Sequence, residues 1–273
     1  MKMKSRPLWI AINLLSLASL LLFAAGFSWA VAEIMGNTSA PQPNEARETD
    51  VSSAAPEGEH LLLSFGDSLT RGTGDTTGQG YFGRIRSALR EQDETVSAVN
   101  LGIKGQTSPE LREQMKQPRV RQLLGEASWV TLTIGGNDLF RGSGSLESID
   151  LDEAALTREE YANNLKAIVE AIRQENADVP IFIFGLYNPF GDLGDRKTTD
   201  ALVREWNQTI VETTADDPLV VIIPLFDLFQ LNPDRYLYSD KFHPNNDGYQ
   251  FMADRLLQTL TALEENEVNV DAP

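Results

Sequence analysis

The residues best suited to chemistry lie in Ser64-Phe65-Gly66-Asp67-Ser68-Leu69-Thr70. An apolar run, His60-Leu61-Leu62-Leu63, leads into this cluster and predicts a buried strand. A serine in the turn after such a strand stands at the carboxyl edge of a sheet, where open α/β folds place their ligands. A serine hydroxyl is a weak nucleophile at its free pKa and needs a base. The chain has only two histidines, His60 and His243. His243 lies in Ser239-Asp240-Lys241-Phe242-His243-Pro244-Asn245, with a carboxylate three residues before it. Ser68, His243 and Asp240 therefore supply a nucleophile, a base and a group to orient the base.

Elements able to position these groups alternate along the chain. Strands are expected at His60 to Phe65, Thr95 to Asn100, Trp129 to Ile134, Val179 to Phe184 and Leu219 to Ile223, all short and rich in Val, Ile, Leu or Phe. Helices are expected at Gly83 to Glu91, Ser108 to Lys116, Thr157 to Asn176, Thr198 to Thr214 and Asn246 to Leu263. The Ser108-Pro109 pair suits an N-cap followed by a first-turn proline. Alternation of this kind predicts a parallel sheet with helices on both faces and right-handed crossovers. The first three strands end in Gly66-Asp67-Ser68, Asn100-Leu101-Gly102 and Gly135-Gly136-Asn137-Asp138, so three polar turns converge on one rim.

The chain has 273 residues, 41% hydrophobic and 23% charged, enough for one sizeable core plus extra segments. It has no cysteine, which removes disulfides, thiolate chemistry and Cys-based zinc sites. Two histidines so far apart argue against a His-rich metal site. The formal net charge of −17 disfavours a phosphate backbone, so nucleic acid is not expected as a partner.

Three segments fall outside the expected domain at 60–264. Residues 1–36 hold a basic flank, with Lys2, Lys4 and Arg6, and an uncharged apolar run from Leu8 to Ala32. That run is long enough to cross a membrane, with the basic flank left in the cytoplasm. Ala30-Val31-Ala32 also fits a cleavage site, which would release the chain near Ala32 instead. Both readings export the remainder. Residues 37–59 are rich in Ser, Thr, Pro, Ala, Asn and Glu and suit a flexible linker. Residues 265–273 are expected to be a short acidic tail.

The four blocks Gly66-Asp67-Ser68-Leu69, Asn100-Leu101-Gly102, Gly135-Gly136-Asn137-Asp138 and Asp240-Lys241-Phe242-His243-Pro244 resemble those of the SGNH (GDSL) hydrolase family, in the family's order. Within it the chain is similar to bacterial lipase/acylhydrolase members with an export segment. The resemblance implies a three-layer α/β/α, flavodoxin-like fold with a central five-stranded parallel sheet, here preceded by an N-terminal transmembrane helix. It implies an exported serine hydrolase that cleaves carboxylic esters of small molecules or lipids with no cofactor and no metal. Ser68 would be the nucleophile, His243 the base and Asp240 its orienting carboxylate. The oxyanion donors implied are the backbone N–H of Ser68, the backbone N–H of Gly102 and the side-chain amide of Asn137.

Two alternatives stand beside this reading: a cell-wall or carbohydrate O-acetyl esterase, and a binding module without turnover. Asp67 and Asp138 are expected to be scaffold residues and His60 inert. Arg71 to Gly80 holds several glycines but lacks the GK[ST] ending of a phosphate loop. It is expected to be a mobile wall of the substrate site. Phe140 to Leu156 is expected to be a long loop with the length of a lid. Tyr187 and Phe190 suit either an acyl pocket or ordinary packing. The sequence leaves the oligomeric state open.

Overall fold

Strand β1 (His60–Gly66) is the hub of the sheet, because it pairs in parallel with both β2 (Val96–Asn100) and β3 (Trp129–Thr133). In the computed structural model, which describes residues 58–142, 144–145, 148–189 and 196–270 together with residues 16 and 19, two further parallel strands extend the β3 side. These are β6 (Ile181–Phe184) and β7 (Val220–Ile223), and the order is β2-β1-β3-β6-β7. The five strands match the expected ones to within two residues, and the order is that of a flavodoxin-like sheet. Between β3 and β6 lies a small antiparallel ribbon of β4 (Gly144–Ser145) and β5 (Ser148–Ile149).

Alternation along each strand builds two cores. Leu61, Leu63 and Phe65 of β1, Val130 and Leu132 of β3, and Ile181 and Ile183 of β6 face one helical layer. That layer contains α2 (Ser108–Met115), α3 (Pro118–Glu126), α5 (Leu151–Glu175) and α6 (Arg196–Thr214). Leu62, Phe182 and Phe184 face the other layer, formed by α1 (Gly80–Gln92) and α9 (Asn246–Val270). Burial on both faces explains why these strands are apolar in consecutive positions rather than in alternate ones. The exceptions are Ser64, Thr131 and Thr133, which are buried on the α1/α9 side of β1 and β3.

Several sequence expectations change. The α2 cap is Thr107, whose backbone N–H and hydroxyl both donate to Glu110 Oε2 at 2.8 and 2.9 Å; Ser108 is the first helical residue. The Ser-Pro pair marked the right place, but the Glu three residues after Thr107 decides the cap. Helix α5 begins six residues earlier than expected, because Asp150 caps it by accepting the N–H groups of Asp152 and Glu153. Phe140 to Leu156 is thus no irregular lid. It contains the end of α4 (Gly136–Gly142), the ribbon and the first turn of α5. The tail expected from residue 265 is helical through Val270. Helices α3, α4, α7 (Phe226–Leu231) and α8 (Pro233–Tyr236) are too short for their periodicity to stand out in the sequence.

The run from Leu8 to Ala32, read as a transmembrane helix or signal segment, lies outside the described residues apart from residues 16 and 19. Among the described residues no helix is long and apolar enough to cross a membrane.

The segment expected to be a mobile wall is instead tied down. Asp75, with a fully buried side chain, pairs with Arg84 of α1 and accepts the N–H of Gly80 at 2.7 Å and of Thr77 at 2.9 Å. Arg84 also reaches Gln250 and the Asn246 carbonyl of α9, and Tyr249 donates to the Thr73 carbonyl at 2.7 Å. Burial alone would raise the Asp75 pKa, but the bonds from Arg84, Thr77 and Gly80 outweigh it and bring it down to about 2. Its folded pKa is depressed, so its stabilising contribution is complete above the ordinary value of 3.8 and is withdrawn as pH falls through about 2. Arg84→Ala leaves a buried carboxylate without its ion partner. It is expected to cost roughly 3 kcal/mol, read as a lowered urea midpoint at pH 7.

Candidate active site

Ser68 follows β1, Gly102 follows β2 and Asn137 lies in the first turn of α4 after β3. Each is at the carboxyl end of its strand. The crossover from β2 to β3 passes over β1, so the space between the ends of β1 and β3 is the switch point of the sheet. His243 reaches the same place on the turn that precedes α9.

Local bonds shape the turn that carries Ser68. The N–H of Asp67 donates to the Thr133 carbonyl at 3.0 Å, which joins the turn to the end of β3. Asp67 Oδ1 accepts the N–H of Leu69 at 2.9 Å, an Asx-type closure around Ser68. Thr70 donates to the Phe65 carbonyl and lies 2.8 Å from both Tyr81 Oη and Thr133 Oγ1. Ser68 itself is only 4% exposed.

The His243 turn is closed by several bonds of its own. The N–H of Tyr238 donates to the His243 carbonyl at 2.7 Å, and Lys241 takes a left-handed φ of 57° at the tip. Asp240 Oδ1 accepts the N–H groups of Phe242 and His243, both at 3.0 Å, while Oδ2 lies 2.7 Å from His243 Nδ1. His243 Nε2 lies 2.9 Å from Ser68 Oγ. Asp240, His243 and Ser68 thus form one continuous hydrogen-bonded line. Burial acts to raise the Asp240 pKa, yet the His243 ring and the two N–H groups prevail and hold it below the ordinary carboxylate value. An ionised Asp240 favours the His243 tautomer with a proton on Nδ1, which leaves Nε2 free to accept from Ser68.

The three expected oxyanion donors differ in their present partners. The Ser68 N–H has no acceptor among the described residues. The Gly102 N–H donates to Asn100 Oδ1 at 3.0 Å, and Asn100 in turn donates to the Thr70 carbonyl at 2.7 Å. A Cβ on residue 102 would stand 2.7 Å from Thr70 Cγ2, so only glycine lets this turn approach the nucleophile turn so closely. Asn137 Nδ2 donates to the Gln106 carbonyl at 2.9 Å and lies 3.4 Å from Asp67 Oδ2.

An apolar pocket opens beside Ser68, with about 470 Å³ of atom-free space including the part open to solvent. Ile134, Phe140, Leu186, Tyr187, Pro189 and Phe242 form its walls. Tyr187 serves both roles considered for it: it lines the pocket, stacks on Phe229 at 4.1 Å and donates to the Phe242 carbonyl at 2.7 Å. Phe190 lies outside the described residues. Phe242 and the buried hydroxyls of Thr131 and Thr133 were not singled out in the sequence. The threonines had a legible signal, since they are polar at alternate positions of a strand otherwise buried on both faces.

The remaining candidates are scaffold. Asp138 accepts the N–H and hydroxyl of Ser108 at the start of α2. His60 is at the opposite end of β1, near Asp93 and Ser128. Among the described residues no group of acidic or histidine side chains is arranged to hold a metal.

Residues 64–251, more than half of the chain, match the GDSL-like Lipase/Acylhydrolase family, and the chain belongs to that family. It is accordingly a carboxylic ester hydrolase. Among its relatives is the uncharacterized protein YpmR of Bacillus subtilis (strain 168), 31% identical over 209 residues, covering 74% of this chain and 82% of YpmR. The spore germination lipase LipC of Bacillus licheniformis is 24% identical over 200 residues, covering 71% of this chain and 92% of LipC. The crystal structure of the lipase Lip_vut3 from a goat rumen metagenome has the same fold. Its TM-score is 0.64 at 22% identity, over 73% of this chain and 96% of that one.

The segment that was expected to wall the cleft has its effect through His243. Gly74 has φ 96°, and a Cβ there would meet the Pro244 carbonyl at 2.5 Å and His243 Cβ at 3.1 Å. Gly74→Ala is expected to displace the histidine turn and lower kcat at least tenfold. Ester-hydrolysis kinetics on a variant with an unchanged far-ultraviolet CD spectrum check this.

Proposed function

We propose that the chain is an exported serine ester hydrolase acting through Ser68, His243 and Asp240. The observation that carries the reading is the Asp240–His243–Ser68 line, with its 2.7 and 2.9 Å links, beside an apolar pocket. His243 Nε2 takes the Ser68 proton as Oγ attacks the ester carbonyl. Asp240 holds the ring and offsets the imidazolium charge that forms. His243 then returns the proton to the leaving alcohol, and a water repeats the sequence on the acyl-enzyme. The negative oxygen of each tetrahedral intermediate is received by the Ser68 N–H, with the Gly102 N–H and the Asn137 amide shared from their present acceptors.

The pocket walls suit an acyl chain rather than a polar group. Oil-like walls gain from each methylene they cover, at about 0.8 kcal/mol apiece. The apolar run from Leu8 to Ala32 supports export, with the catalytic domain outside the membrane and either anchored or released.

Hydrolysis of p-nitrophenyl esters from C2 to C16 by the full-length chain in mild detergent tests the reading. Turnover is expected, rising with chain length until the pocket is filled, and Ser68→Ala is expected to lose at least a thousandfold in kcat. Equal turnover by wild type and Ser68→Ala would refute the role of Ser68. A sharp preference for acetate would move the substrate to O-acetylated sugars.

A further inference from the structure

Asp67 is buried beneath the nucleophile, 4% exposed, and the steps above do not use it. Its two oxygens face different neighbours. Oδ2 lies 3.4 Å from Asn137 Nδ2, whose other side is held by the Gln106 carbonyl at 2.9 Å. Oδ1 lies 3.1 Å from Thr133 Oγ1, the first member of a buried hydroxyl column. The column runs from Thr133 to Thr70 at 2.8 Å, to Tyr81 at 2.8 Å, to Thr131 at 3.1 Å and to Ser64 at 2.6 Å.

Each hydroxyl has one proton to give. With Asp67 ionised, Thr133 donates to Oδ1 and Thr70 donates to the Phe65 carbonyl at 2.9 Å. The 2.8 Å approach of Thr70 to Thr133 is then left with no proton between its oxygens. A proton on Asp67 Oδ1 removes the conflict, because Asp67 donates to Thr133 and Thr133 turns to Thr70. The column is therefore built to take up one proton at the Asp67 end. That proton weakens Asp67 as an acceptor, and Asn137 is then held on the Gln106 side alone.

We propose that Asp67 is a positioning residue for the reaction: as a carboxylate it keeps the Asn137 amide facing the cleft, and one proton taken up by the hydroxyl column releases that hold. The proposal rests on the reading of Asn137 as an oxyanion donor. Burial also pushes the Asp67 pKa up to about 6, against the lowering effect of the bonds from Leu69 and Thr133. The ionisable groups around Asp67 are Asp138 of α4, Tyr81 of α1, Tyr161 of α5, Tyr187 after β6 and Tyr249 of α9. The tyrosines stay neutral across the range of interest, and Asp138 raises Asp67 further. Among the described residues no cationic side chain pairs with Asp67.

The test is the pH dependence of kcat/KM on a soluble short-chain p-nitrophenyl ester, followed at a wavelength insensitive to phenol ionisation. Proton uptake by the Asp67 column should make the acid limb of the wild type fall more steeply, over a step of about tenfold, than that of a variant without the carboxylate. Asp67→Asn should lack that extra step and be about tenfold less active at pH 8. Thr133→Val cuts the column away from Asp67 Oδ1, so the pH at which the proton is taken up, and with it the steep part of the limb, moves. A wild-type limb no steeper than that of Asp67→Asn, or an unmoved limb in Thr133→Val, would each overturn the proposal. Should Asp67→Asn not fold, Thr133→Val decides alone. Hydrolysis that does not depend on Ser68 would instead overturn the serine mechanism, and the Ser68→Ala control reads that separately.

Discussion

The join between the end of β1 and the end of β3 is the constraint on which the site depends. Asp67 donates its N–H to the Thr133 carbonyl, and Thr70 binds both Phe65 and Thr133 through one hydroxyl. The turn between these residues is bonded at each end, so Ser68 has little freedom. These groups are buried, and a broken member would leave others unsatisfied. The same bonds bring Asn137, on the helix that follows β3, to the side of Ser68. A polar column inside an apolar sheet is costly to build and is kept rigid by that cost.

The histidine has a separate support. It stands 175 residues from Ser68 in sequence, on a turn with no strand beneath it. Its place is set by the segment that follows the nucleophile, since Gly74 packs against His243 and Pro244 while Asp75, Thr76 and Thr73 are bonded to α1 and α9. From the other side Tyr187 donates to the Phe242 carbonyl. Two ties from opposite walls hold the imidazole within hydrogen-bond reach of Ser68. The pocket lies on the Tyr187 side, so a residue that lines it also helps to fix the His243 turn. Substitutions that enlarge the pocket are therefore coupled to the catalytic geometry.

Much of the architecture was legible in the sequence. Five short apolar runs alternating with helical stripes define a parallel sheet, because only strands covered on both faces are apolar at consecutive positions. The turns that carry Ser68, Gly102, Asn137, Asp240 and His243 were legible because each lies just after a strand or just before a helix. Short helices such as α4 and α8 were not, since a single turn carries no period. The loop from Arg71 to Gly80 was misjudged as mobile, because its glycines suggest freedom while the ion pair that removes it joins residues on two different elements.

The sequence by itself determined which strands are buried, the order in which chemical groups appear and the absence of thiol chemistry. These depend on local pattern and composition. Only the tertiary structure decided that Asp240, His243 and Ser68 form one hydrogen-bonded line, and that Gly102 and Asn137 already have partners in the resting site. It alone disclosed the buried hydroxyl column that runs from Asp67 to Ser64. Distances of a few tenths of an ångström decide such matters, and they follow from how β1, β3, α1 and α9 pack together rather than from any one segment.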